Sequence, residues 1–229
     1  MSEEGCFAST FERKYYKKVD IFVKRSLRDS EYQTGYRGLH IPILGKERLR
    51  NEAASLQFIQ KFTNVPVPQL YDHFEYNGAY YVAMEYVEGV SMSDLSENQK
   101  EVVKKEIEIH LSTMHNLTSN KIGGPSGIII PPYRVLGKIE DQMWNPSTED
   151  CIYVFCHMDL SQHNVIVDPK TLKIKAIIDF EYSGFWPEQF ERRFYTRLGP
   201  SVAREGEIDD TLELLEFLTV SSYYFLLSK

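Results

Sequence analysis

Two carboxylates twenty residues apart, Asp159 and Asp179, and an asparagine between them, Asn164, have the types and spacing that phosphoryl transfer requires. The first lies in Cys156-His157-Met158-Asp159-Leu160-Ser161-Gln162-His163-Asn164, the second in Ile177-Ile178-Asp179-Phe180. Moving a phosphoryl group from a nucleotide to a hydroxyl needs one carboxylate to orient or deprotonate the acceptor. Further oxygen ligands must hold magnesium on the phosphates. Asp159 suits the first role, and Asn164 and Asp179 suit the second. Taken singly, each Asp is an ordinary loop carboxylate and His157 a satisfied core histidine, so the combined pattern carries the reading.

Those residues need elements to hold them. Val165-Ile166-Val167 and Ile174 with Ala176-Ile177-Ile178 are apolar, largely β-branched runs flanking Asp168-Pro169-Lys170-Thr171. The intervening segment has turn chemistry, because proline presets φ and aspartate bonds forward to the backbone. The spacing predicts a hairpin that returns Asp179 to the neighbourhood of Asn164. Upstream, Ile21-Phe22-Val23-Lys24 is a short apolar strand ending on a lysine. The stretch from Asp29 to Gly45, with three glycines and a proline, reads as a loop. From Lys46 to Phe62 the apolar residues Leu49, Ala53, Leu56 and Ile59 recur at helical spacing, with Glu52 beside that face. A lysine on a strand and a glutamate on the next helix can pair, and the ammonium then points at the α- and β-phosphates. Lys24 and Glu52 are the candidates. Val65-Pro66-Val67-Pro68 forces extended chain, and Asn77-Gly78 marks a hairpin turn before the β-rich run Tyr80 to Val87.

Further along, Ser96 and Gln99 can form a capping box ahead of a helix with Val103, Ile107, Leu111 and Met114 on one face. Gly123 to Pro132 reads as an ordered loop rich in glycine and proline. Asp209 and Asp210 open a helix through Leu212, Leu215 and Leu218, their charge suiting its N-terminal dipole. His110 and His115 are five apart and do not share a face as a metal pair would.

Composition narrows the function classes. The chain has 229 residues, 42% hydrophobic content and a net charge of −7. That length provides one substantial core or two small lobes, and the acidic balance argues against a nucleic-acid partner. No apolar run is long enough to span a membrane. The acidic start, Met1-Ser2-Glu3-Glu4, predicts a cytoplasmic rather than secreted protein. Cys6, Cys151 and Cys156 are an odd, sparse set, read as reduced thiols. Cys151, Cys156 and His157 lack the paired spacing of a zinc site. The basic run from Arg13 to Arg28 reads as a solvated face with one functional lysine inside it.

In this order, Arg50-Asn51-Glu52-Ala53-Ala54, Pro66-Val67-Pro68, Met84-Glu85-Tyr86-Val87-Glu88-Gly89, His157-Met158-Asp159-Leu160 and Ile178-Asp179-Phe180-Glu181-Tyr182 resemble the aminoglycoside phosphotransferase and choline kinase branch of the kinase-like superfamily. The segment Glu181 to Pro187 is further similar to fungal members of that branch. The resemblance implies an α+β, bilobal protein-kinase-like fold. Its small β-rich N-lobe (residues 1–87) would bind nucleotide, and its mainly helical C-lobe (residues 88–229) would carry catalysis and the acceptor. It implies ATP and Mg2+, transfer of the γ-phosphate to a small-molecule hydroxyl, and a monomer or weak dimer. It also implies a hinge at Met84 to Gly89, where the Glu85 carbonyl and the Val87 amide read adenine.

One departure from the resemblance bears on the nucleotide: a glycine-rich loop should precede Lys24, and the only glycine there is Gly5. A nucleotide-binding scaffold with little turnover is therefore a second reading. A protein kinase is a third, disfavoured because no Ala-Pro-Glu segment follows Asp179. For the acceptor, Glu181, Tyr182, Trp186, Glu188, Glu191, Tyr133, Arg134 and Trp144 are candidate pocket residues. An acidic, aromatic rim of that kind would suit a cationic hydroxyl compound.

Overall fold

The computed structural model describes residues 4–138, 144, 146 and 151–227, with side chains described as far as residue 219. The chain begins with three antiparallel strands, β1 (Cys6–Ser9), β2 (Arg13–Lys18) and β3 (Ile21–Ser26). A small hairpin follows, β4 (Gln33–Gly35) with β5 (Gly38–His40), then helix α1 (Gly45–Phe62) and strands β6 (Leu70–Tyr76) and β7 (Ala79–Glu85). Strands β1-β2-β3-β7-β6 form one antiparallel sheet in that order. Between β6 and β7, Asn77 and Gly78 both take positive φ, 46° and 75°. That is the geometry an Asn-Gly hairpin turn needs to match strand twist. Helix α1 buries Leu49, Ala53, Leu56 and Ile59, the face its periodicity predicts.

The hairpin corrects the reading of residues 29–45 as loop. Gln33-Thr34-Gly35 and Gly38-Leu39-His40 are mostly exposed on both faces, so no apolar alternation announces them. Their pairing rests on backbone bonds and on Gly38, whose φ of 98° closes the turn. The basic run is a solvated face only in part: Lys17 and Lys18 are exposed. Arg13 and Arg25 are buried, Arg25 against Tyr16 and Glu31.

The second half begins with β8 (Val90–Ser91) and helix α2 (Glu97–His115), then β9 (Thr118–Ser119), the short helix α3 (Tyr133–Leu136) and β10 (Tyr153–Cys156). It closes with β11 (Val165–Val167), β12 (Ile174–Ile177), β13 (Gly184–Trp186) and helix α4 (Thr211–Leu227). The Gln99 carboxamide oxygen accepts from the Ser96 amide at 3.0 Å, and α2 buries Val103, Ile107, Leu111 and Met114 as expected. On α4 the inward residues are Leu214 and Leu218, while Leu212 points outward, so the buried face repeats at four rather than three. The Asp209 carboxylate accepts from the Thr211 amide at 3.0 Å and caps this helix.

Two apolar cores result. One runs from α1 through Phe155, Leu160 and Phe180 to α2, and the other gathers Met158, Cys156, Trp186, Phe190, Leu214 and Leu218. The segment bearing Asp159 lies between them, with Met158 in one core and Leu160 in the other.

A buried side chain, Asn51, ties the α1 backbone run to the carbonyls after Asp179. Asn51 donates to the carbonyls of Glu181 (3.1 Å) and Ser183 (2.8 Å) and accepts from the Ser126 hydroxyl (2.8 Å). Gly124 leaves it room, since a Cβ there would lie 1.8 Å from Asn51 Oδ1. Asn51→Ala strands two buried carbonyls and should cost about 3 kcal/mol. Urea denaturation checks this as a lowered midpoint with an unchanged slope.

Candidate active site

The loop after β10 is held by side chains rather than by regular structure. His157 is buried; its Nε2–H donates to the Ile178 carbonyl at 2.9 Å and its Nδ1 accepts from the Asp159 amide at 3.3 Å. This pattern fixes a neutral tautomer, and burial drives the imidazole down to about 4 despite the Ile178 bond and the nearby Asp179. The histidine thus links the Asp159 loop to the residue before Asp179. Met158 between them has a φ of 68°, costly for a side chain bearing Cβ. Glu191 over-determines that conformation: its carboxylate accepts from the His157 amide and from the Met158 amide at 3.2 Å. Burial pushes the Glu191 carboxyl up to about 7.

The hairpin of β11 and β12 behaves as its sequence predicts. Asp168 accepts from the amides of Lys170 (2.8 Å) and Thr171 (3.1 Å), and Val165 pairs with Ile177. The Ile178 amide then donates to the Asn164 carbonyl at 2.9 Å, which sets Asn164 beside Asp179. Asn164 Nδ2 donates to the Asp159 carbonyl (2.8 Å) and to Asp159 Oδ2 (3.3 Å). Asp179 itself sits in the left-handed region at φ 69°.

Lys24 joins the two halves. Its ammonium lies 2.6 Å from Glu52 Oε1 and 2.6 Å from Asp179 Oδ1. Burial opposes the charge on Lys24, but Asp179 and Glu52 more than offset it and hold the amine above its usual range. The two aspartates are driven apart. Burial, aided by the charge of Asp179, raises Asp159 to about 7. Burial would raise Asp179 as well, yet Lys24 and Arg13 pull it down to about 2. At neutral pH one carboxylate is fully ionised and the other is poised to exchange a proton, a division that suits metal binding and acid–base work respectively.

The β1–β2 turn, where a glycine-rich loop was expected, carries no glycine and is closed by Thr10. The Thr10 hydroxyl accepts from the amides of Glu12 (3.2 Å) and Arg13 (3.1 Å), and the Thr10 amide donates to the Arg13 carbonyl at 2.9 Å. The turn therefore satisfies the amides of Thr10, Glu12 and Arg13 itself. It sends inward the buried guanidinium of Arg13, which pairs with Glu181. Arg48 on α1 pairs with Glu12 and donates to the Tyr182 hydroxyl at 2.7 Å.

A cavity of about 1080 Å³ opens onto this group, walled by Arg13, Asp159, Asn164, Asp179 and Ser201 among others. The structure thus gathers Lys24, Glu52, Asp159, Asn164 and Asp179. Glu85 and Val87 do not line this cavity; they lie at and just after the end of β7, where the Glu85 carboxylate accepts from the Gln69 amide at 3.1 Å. The expected acidic, aromatic rim forms only in part. Trp186 is core, Glu191 holds the loop, Glu188 faces His115 across a different cavity, and Glu181 is bound to Arg13. Arg134 is buried against Asp210, while Trp144 packs on the second core. Tyr133, Arg134, Glu181 and Tyr182 remain on the cavity wall.

Sequence reasoning missed Arg13, Arg48 and Ser201 as site residues, and it placed Glu191 in the acceptor pocket rather than on the loop amides. Ser201 stands close enough to Asp159 to counter part of its upward shift. It is presented by a loop that Arg197 staples, donating to the carbonyls of Pro200 (2.9 Å) and Val202 (2.6 Å) while pairing with Glu207. The sequence signal for Arg13 was the absence of a glycine-rich loop before Lys24.

No protein-family model matches the chain, and no curated protein matches it. Solved structures do. The aminoglycoside phosphotransferase APH(4)-Ia aligns at 16% identity over 81% of this chain and 68% of its own, with a TM-score of 0.54. The APH(3'')-Id enzyme from Streptomyces rimosus aligns at 15% identity, 76% and 69% coverage and a TM-score of 0.53. The chain has the bilobal aminoglycoside phosphotransferase fold. An APH(4)-Ia ternary complex with AMP-PNP and hygromycin B aligns at 15% identity, over 79% of this chain and 66% of that one, with a TM-score of 0.52. The matched part thus spans about two thirds of the length of these enzymes. Among the described residues no helix is long and apolar enough to cross a membrane.

Carbon-detected titration of the aspartate carboxyls should show Asp159 titrating near 7 in the free protein. Asp179→Asn removes a neighbouring negative charge and should lower that midpoint. An Asp159 midpoint at the ordinary aspartate value in the unsubstituted protein would contradict the geometry.

Proposed function

We propose that the chain is an ATP- and magnesium-dependent phosphotransferase that moves the γ-phosphate to a hydroxyl of a small molecule. The observation that carries this reading is the Lys24 ammonium held 2.6 Å from both Glu52 and Asp179, with Asp159 and Asn164 hydrogen-bonded beside them. The fold shared with nucleotide-bound aminoglycoside phosphotransferases supports it. In this reading residues 1–87 serve the nucleotide and residues 88–229 the acceptor. Glu85 and Val87 contribute a carbonyl and an amide to adenine.

The oxygen donors present fit magnesium: the Asp179 carboxylate, and the Asn164 carboxamide oxygen left over once Nδ2 is committed to Asp159. When bound, that ion would neutralise phosphate charge. Lys24 orients the α- and β-phosphates, and Glu52 fixes the direction of its ammonium. Arg13 supplies a cation where amides of a glycine-rich loop would otherwise act. Asp159 orients the acceptor hydroxyl and takes its proton as the new O–P bond forms, with Ser201 beside it.

A second reading, nucleotide binding with little turnover, draws on one observation: the self-satisfied Thr10 turn offers few amides to phosphate. Magnesium-dependent ATP consumption with a panel of hydroxylated metabolites separates the two.

Asp159→Asn should reduce turnover by roughly 10²–10⁴-fold while leaving Mg-ATP affinity near that of the parent. Asp179→Asn should also lose the metal-dependent part of nucleotide binding. Calorimetric titrations with and without magnesium check the division, and the opposite assignment of losses sinks it. Because the active form of Asp159 is deprotonated, kcat/KM should rise with pH through about 7 and then level. Arg13→Ala should weaken ATP binding by roughly tenfold, the loss of one charge-assisted bond. Unchanged nucleotide affinity in that variant would remove Arg13 from the site.

A further inference from the structure

A second cavity, of about 820 Å³, shares no wall residue with the first. At its edge three side chains from separate elements converge. His115 ends α2, Cys156 ends β10 and Glu191 follows Phe190; their ligand atoms lie within 4.8 Å of one another. His115 Nε2 is buried and has no hydrogen-bond partner among the described residues, while Nδ1 faces Glu188 at 3.4 Å. Cys156 is fully buried. Its thiol meets the Val154 carbonyl at 3.5 Å. Glu191 Oε2 accepts from the amides of His157 and Met158, while Oε1 accepts from the Met158 amide alone and retains a further lone pair. An orphaned imidazole nitrogen beside a buried thiol and a carboxylate is a costly arrangement without an occupant.

We infer that His115 Nε2, Cys156 Sγ and the Glu191 carboxylate form a zinc(II) site, separate from the magnesium ligands of the cleft. Mixed nitrogen, sulfur and oxygen donors suit zinc and not magnesium, which takes oxygen. Tetrahedral zinc sets its donors about 3.5 Å apart, so the three must close by about an ångström, within the reach of side-chain torsions. On binding, the Cys156 thiol releases its proton to solvent and a sulfur–zinc bond forms; no electron is transferred. One thiolate and one carboxylate cancel the charge of the ion, which favours a buried site. The fourth position faces the cavity, where Glu108 and Glu188 add negative potential and Arg193 opposes it.

Cobalt(II) titration of the full chain, stripped with chelator, tests the site without reference to turnover. Expected are one equivalent bound, tetrahedral d–d bands, a thiolate-to-cobalt charge-transfer band, and displacement by zinc. Cys156→Ser should abolish the charge-transfer band, and His115→Ala should weaken affinity by more than roughly tenfold, since first ligands outweigh their supports. Asp179→Asn should leave the spectrum intact, which separates this site from the cleft. A missing charge-transfer band, its survival in Cys156→Ser, or its loss in Asp179→Asn each overturns the assignment. Should Cys156→Ser fail to fold, the His115→Ala titration decides: unchanged affinity there excludes the site.

Discussion

One ammonium group holds this structure's chemistry together. Lys24 reaches from the five-stranded sheet to Glu52 on α1 and to Asp179 after β12, so three elements distant in sequence meet at a single charge. Burying a lone ammonium would be strongly unfavourable, whereas burying it between two carboxylates is tolerable. The same constraint works in reverse on Asp179. Beside Lys24 and Arg13 it stays ionised though half-buried, while Asp159, without such a partner, drifts upward. Two aspartates of identical chemistry acquire different proton affinities from which cation each one faces.

The loop bearing Asp159 shows how local strain is maintained. Met158 at positive φ has no intrinsic reason to stay there. It stays because Glu191 gathers the amides of His157 and Met158, because His157 bridges to the Ile178 carbonyl, and because Met158 and Leu160 plug opposite cores. Each restraint comes from a different part of the chain. The loop is therefore set by the packing of the whole C-terminal half rather than by its own residues.

The β1–β2 turn departs from the logic of a glycine-rich loop. Glycine-rich loops cover phosphates with backbone amides, but here Thr10 absorbs the amides of the turn and Arg13 projects a buried guanidinium instead. The fixed positive charge remains on a side chain that Glu181 and the Arg48–Tyr182 pair keep in place. A side-chain cation is a stronger but more mobile source of potential than a ring of amides, so its neighbours must do the positioning.

How much of this was legible in the sequence follows from the range of each interaction. Local signals succeeded. The Asn77-Gly78 turn, the Asp168 turn, the α1 and α2 faces and the Ser96–Gln99 box depend on residues a few positions apart, and sequence spacing encodes them directly. The pairing of Lys24 with Glu52 and the meeting of Asn164 with Asp179 were also readable, because strand, helix and hairpin geometry leave few alternatives. The β4–β5 hairpin was not, since exposed strands carry no apolar alternation. Nor were the roles of Glu181, Glu188 and Glu191, which looked alike as carboxylates near one motif. Tertiary packing sent one to Arg13, one toward His115 and one to the amides of His157 and Met158. Sequence by itself determined which groups could do chemistry and which elements would carry them. Only the fold decided which charges neutralise one another, because that depends on distances across the interior that no local pattern specifies.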